Sequence, residues 1–122
     1  MARRKIDQAA GLAAARSVMA GEVPRENSNP VFAMAVRFLL EELAVRMPGN
    51  SVEVRVPPLM AVQCVPGPQH RRGTPANVAE LSPQAWFALA VGEKTWQELE
   101  PSEAIVSGTR ASEFTHVLPL LR

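Results

Sequence analysis

The chain has 122 residues, 47% of them hydrophobic and 20% charged, with a formal net charge of +1 and a single cysteine. That length suits one hydrophobic core in a globular chain, and no run of about 18 apolar residues is available to cross a bilayer. The near-neutral charge supplies no field to draw nucleic acid or acidic membranes, and the lone Cys64 closes no internal disulfide, which agrees with a reducing, cytoplasmic setting.

The sequence reads as a single domain over residues 1–122. Met1 to Lys5 is basic, but Asp7, Gln8 and Arg16 interrupt any signal-peptide core, so residues 1–6 are expected as a flexible basic arm. Residues 7–47 are expected as N-terminal helices. Asp7 is a plausible N-cap for an alanine-rich helix to Ala20, and Gly21 to Asn29 collects the Gly, Pro, Asn and Ser of a linker. Asn29-Pro30 then starts a second helix to about Met47, because the amide side chain can cap a free N–H and proline suits the first turn. Phe32, Ala35, Val36, Leu39, Leu40, Leu43 and Met47 repeat at helical spacing, and Arg37/Glu41 and Glu42/Arg46 are expected as exposed pairs. Met34, Phe38 and Val45 widen the apolar arc beyond what one sheet covers, so a flank must be closed by the first helix, a ligand or a partner chain.

Residues 51–122 are expected to form the sheet and the C-terminal helices. Val52, Val54 and Val56 alternate with polar residues as a strand with one dry face, and Leu59 to Val65 resumes as a second strand after Pro57-Pro58. Gly67 to Pro75 is too rich in proline and glycine for regular structure, beyond a short edge strand. Asn77 to Leu81 reads as a strand, Ser82-Pro83 caps a helix to about Val91, and Gly92 ends it. Thr95 and Glu98 have capping-box spacing around Trp96; Ile105 to Thr109 is a last strand; Ser112 opens a terminal helix through Phe114, Val117 and Leu118.

Chemistry-bearing residues are few. A thiolate at Cys64 with His70 as base lacks a third residue to orient the imidazole, and an apolar strand raises a thiol pKa, so no catalytic residue is assigned. His70, His116 and Cys64 do not make a metal set, and no cofactor is implied. Arg71-Arg72 fits a phosphate or carboxylate headgroup or a solvated loop. Trp86, Phe87 and Trp96 suit either a ligand tunnel or core filling, and Gly73 and Gly108 either close ligand approach or turns. Without tyrosine or a basic surface, nucleic-acid binding is not expected.

Asn77-Val78 with Glu80, Ser82-Pro83, Trp86, Leu89, Gly92, Thr95-Trp96 and Val106-Ser107-Gly108-Thr109-Arg110-Ala111, in that order, resemble the sterol carrier protein family. With Val52 to Pro58 and the Gly67–Pro75 loop, the chain looks most like its small bacterial branch. The resemblance implies an α+β sterol-carrier-like fold with about five mostly antiparallel strands, helices packed on one face, and an apolar cavity between them that accepts a lipid or other apolar small molecule without covalent chemistry. The pocket so implied is lined by Phe38, Val54, Val56, Val62, Trp86, Leu89, Ile105 and Leu118. A similar domain forms the C-terminal part of mycothiol-dependent maleylpyruvate isomerases, but the first 50 residues here are too short for their metal-binding helical bundle and hold no histidine. Residues 99–103 depart from the alanine-rich run of other members. The competing reading is an interaction or structural domain, with a homodimer closing the apolar surface; stable membrane insertion is not expected.

Overall fold

A computed structural model describes residues 4–67 and 77–122. Helix α1 (Gln8–Met19) starts where the Asp7 carboxylate accepts the Ala10 N–H at 3.0 Å, and α2 (Pro30–Arg46) where Asn29 Oδ1 accepts the Val31 and Phe32 N–H groups. Both starts follow from an unpaired first turn meeting a short polar side chain. Strands β1 (Val52–Val56), β2 (Met60–Cys64), β3 (Val78–Leu81) and β4 (Ala104–Ser107) surround helix α3 (Pro83–Ala90) in the chain, and short 3-10 turns cover Trp96–Glu98 and Glu113–Val117. The terminal helix expected after Ser112 is thus a 3-10 turn; Ser112 makes no side-chain cap, and Pro119 leaves no room for a longer α-helix.

Among the described residues the sheet has four strands in the order β2-β1-β3-β4, not about five, and it is mixed: β1 pairs antiparallel with β2 and parallel with β3, while β3 and β4 are antiparallel. The parallel pair arises because the chain crosses from β2 past its neighbour to enter β3 on the far side of β1. The expected edge strand within Gly67–Pro75 falls almost wholly on residues 68–76, outside the described part. Alternation places Val52, Val54, Val56, Val62, Cys64, Ala79 and Leu81 on the buried face, and Glu53, Arg55, Val78, Glu80 and Ile105 on the other.

Helix α2 is the centre of the molecule and touches α1, β2, α3 and the 113–117 turn. Pro30, Val31, Met34 and Arg37 are the exposed residues along its first half. The flank left open by the sequence pattern is closed by α1, whose Gly11 sits so tightly on Phe38 that an added Cβ would lie 2.2 Å from the ring. Glu41 and Glu42, expected on an exposed face, are only 5% exposed. The backbone N–H groups of Lys5 and Ile6 donate to Glu41 Oε1, while Arg4 and Arg46 pair with Glu42. Residues 4–6 are therefore tied to α2 rather than forming a free arm. Arg37 turns instead to the Leu59 carbonyl. No helix among the described residues is long and apolar enough to cross a membrane.

Candidate functional site

The C-terminal end of α3 builds one wall of an open groove. Val91 ends the helix, Gly92 takes φ +78°, the Gly92 N–H donates to Leu89 O, and the Glu93 N–H donates to Ala88 O at 2.9 Å. This paired reversal is the usual glycine exit from a helix, and it directs the next residues back across the helix end. Thr95 follows, its N–H held by Glu98 Oε1 at 2.7 Å, and this bond keeps the Glu98 carboxyl below the ordinary carboxylate range. The turn so fixed presents Trp96, whose ring meets Phe114 edge-on at 5.5 Å, while Phe114 rests on Trp86 at 6.4 Å.

The opposite wall is the chain from Thr115 to Arg122. Pro119 lies against Gly92, where an added Cβ would come within 3.2 Å of the proline ring. The Leu120 and Leu121 N–H groups both donate to Ala90 O, a carbonyl that α3 itself leaves without a partner. Between the two walls is a groove of about 630 Å³, with Leu89, Trp96, Leu118 and Pro119 as its apolar lining and Lys94, Thr95, Gln97, Thr115 and Arg122 as its polar lining. Its lining contains two cationic side chains and no acidic side chain; Lys94 Nζ is 3.5 Å from the Glu103 carboxylate outside it. An apolar floor with a cationic and hydroxyl-bearing margin suits an amphipathic small molecule.

The eight residues expected to share one pocket are divided among several places. Leu89 and Leu118 do line this groove. Val54, Val56 and Trp86 are fully buried and Val62 is 9% exposed; all four belong to the central core, filling the layer in which a tunnel was expected. The Trp86 indole N–H donates to the Val36 carbonyl at 3.3 Å, which satisfies its polar atom within that layer. Phe38 lines a separate cleft beside α1. Ile105 is 67% exposed, because odd-numbered β4 residues point away from the helices. Trp96, named as a candidate for either role, is the tryptophan of the groove, and Trp86 and Phe87 are core. The groove residues not anticipated are Val91, Lys94, Gln97, Thr115, Pro119 and Arg122. The capping-box spacing around Trp96 was the one available signal for them.

Arg71 and Arg72, the expected headgroup contacts, lie outside the described residues, as do His70 and Gly73. Cys64 is fully buried on β2, and burial alone pushes its thiol up to about 12, so it is held as an uncharged, non-nucleophilic group at neutral pH. Among the described residues no His, Cys, Asp and Glu side chains gather as a metal set.

A second polar cluster closes the end of the sheet. Asn77 Nδ2 donates to Ser51 O at 2.9 Å, the Arg110 N–H donates to Asn77 Oδ1, and Arg110 Nη2 donates to Pro66 O and to Glu113. Gly67 fits beneath this guanidinium, since an added Cβ would lie 2.3 Å from Arg110 Nη1. Asn77 and Arg110 were both among the residues carrying the family resemblance, and here they fasten β1, β3 and the end of β4 together. Their visible work is structural.

No curated protein matches the chain. The SCP_3 family, described as "Bacterial SCP ortholog", matches residues 28–120, from the cap of α2 through Leu120 of the groove's far wall. The match takes in the central helix, all four strands, α3 and both 3-10 turns, and on that extent the chain belongs to the SCP_3 family of bacterial SCP orthologs.

Proposed function

We propose that the protein is a non-catalytic carrier or binding module for a lipid or other apolar small molecule, working in the cytoplasm and needing no cofactor. The observation that carries this reading is the open groove between the glycine exit of α3 and the 115–122 wall, with Leu89, Trp96 and Leu118 available to a hydrocarbon. The site is thus proposed beside the core and not between sheet and helices, where Trp86 already stands. Covering a few hundred Å² of ligand at about 25 cal/mol/Å² gives several kcal/mol gross, enough for micromolar affinity after the cost of association. Lys94 and Arg122 favour a ligand whose polar end is anionic.

Solvent extraction and native mass spectrometry of the purified protein test the reading, together with a titration by octanoate followed through tryptophan emission. A co-purifying lipid, or a saturable response that Trp96→Phe removes, is expected. Absence of both would end the carrier proposal.

A second reading draws on the β4 edge, where Ile105 is 67% and Val106 51% exposed on a strand without lysine or proline. Such an edge suits pairing with a second copy of the chain. Light scattering showing a dimer that Val106→Lys dissociates would support it.

A further inference from the structure

Beside the groove lies a smaller cleft of about 200 Å³, bounded by α1, α2 and the 120–121 segment. Its apolar lining is Leu12, Phe38, Leu39, Leu120 and Leu121, and its polar lining is Gln8, Arg16, Glu42 and Arg46, the last two paired with each other. The short stretch from Leu118 to Arg122 borders both spaces: Leu118, Pro119 and Arg122 line the groove, whereas Leu120 and Leu121 line the cleft. This partition is anchored by the two backbone hydrogen bonds to Ala90 O and by the Leu120 side chain, which is 6% exposed. Of the side chains in the stretch, the one charge is that of Arg122, and no ion pair fastens the partition to α1 or α2 among the described residues.

We propose that the cleft at Leu12 and Phe38 is the far half of the ligand site, reached when a straight hydrocarbon chain displaces Leu120 and passes beneath the 118–122 segment. This rests on the groove being a binding site. The ligand class it selects is a single flexible chain with a polar, preferably anionic, end: the head stays at Lys94 and Thr95, and the tail continues to Phe38. A rigid fused-ring body does not thread a partition held by one side chain and two N–H groups. A tail methylene takes the place of the displaced leucine methyl, and the gain comes from the rest of the tail meeting Leu12, Phe38 and Leu39 on the apolar side of the cleft. Gly11 contributes by letting α1 approach Phe38 closely, which keeps the cleft narrow.

The test compares octanoate with dodecanoate on the full chain and on Leu12→Trp, which fills the cleft from its α1 side. Each added methylene that finds the cleft deepens affinity by about fourfold, so wild type should prefer dodecanoate by up to roughly two orders of magnitude. Leu12→Trp should abolish that preference and leave octanoate binding as it was. If octanoate binds wild type but dodecanoate binds no tighter, or keeps its advantage in Leu12→Trp, the two-chambered site is wrong and the groove reading stands. If neither acid binds wild type, the groove reading fails and this inference with it. Should Leu12→Trp not fold, Leu12→Phe and Leu121→Phe fill the same cleft less severely and carry the same comparison.

Discussion

Trp86 and Trp96 both rest on the Phe114 ring, yet one is fully buried with its N–H bonded to Val36 O and the other is half-buried at the floor of an open groove. The difference comes from the elements that carry them. Trp86 is in mid-helix on α3, where neighbours one turn away and α2 opposite close around it. Trp96 follows a glycine exit on a single 3-10 turn, too short to bring a second layer of side chains over it. Hollows in a small domain are left where elements are brief, and the regular sheet-and-helix layer is filled.

The largest expected effect tests that contrast directly. Trp86→Ala should cost about 3–5 kcal/mol of unfolding free energy, the usual loss for a fully buried large aromatic. Trp96→Ala should cost about 1 kcal/mol, because solvent already reaches its ring. Urea denaturation of the two variants measures both, and equal losses would show that the groove is as tightly packed as the core. Trp96→Ala, not Trp86→Ala at a temperature where both remain folded, should abolish octanoate binding.

How much of this was legible follows from the same contrast. The helix starts at Asp7, Asn29 and Ser82 and the alternation of Val52, Val54 and Val56 are local features, and the structure has each where the sequence puts it. The parallel pairing of β1 with β3 depends on a crossover, which no local pattern encodes. Glu41 and Glu42 stand at spacing that normally means a solvated face; that they are buried under residues 4–6 is a tertiary fact. The eight residues expected around one pocket are spread over several places for a related reason. Periodicity identifies which residues are apolar and inward, as for Val54, Val56 and Trp86, but a filled layer and a hollow one carry the same periodicity. Phe38, Leu89 and Leu118 do line open space, although on two sides of a partition that only the fold reveals.

A middle-sized effect is expected where the filled region meets the cleft. Gly11→Ala places a methyl within 2.2–2.9 Å of three Phe38 carbons, including its Cβ, which cannot swing away. Alanine gains about 1 kcal/mol of helix propensity over glycine, while overpacking costs about 1–3 kcal/mol. The clash therefore wins, and a net loss of about 1 kcal/mol should appear in thermal or urea unfolding. A gain would mean that α1 has slack against α2 and that the cleft is not held narrow by this contact.

The smallest effect concerns how the groove wall is fastened. Arg25 in the linker makes two hydrogen bonds to the Glu93 carboxylate, at 2.6 and 2.8 Å, and its guanidinium stands 4.9 Å above the Phe87 ring. Glu93 directly follows Gly92, so this pair ties the exit of α3 to the linker. The hydrogen bond from Arg25 holds the Glu93 carboxyl below its ordinary value of 4.5, and the arginine stays charged throughout. A carboxyl lowered by folding contributes stability that is complete above its unfolded pKa and is lost as pH falls through the folded one. Both side chains are about a third exposed, at 32% and 39%, so screening limits the pair to less than about 1 kcal/mol. Glu93→Gln keeps the shape and removes the charge. It should be slightly less stable than wild type at pH 7, and the gap should narrow steadily as pH falls below the unfolded carboxylate range towards the lowered folded value. Equal stability of the two at pH 7 would assign the fastening to the amide-compatible hydrogen bonds and to the stacking of Arg25 on Phe87, with the charge contributing nothing.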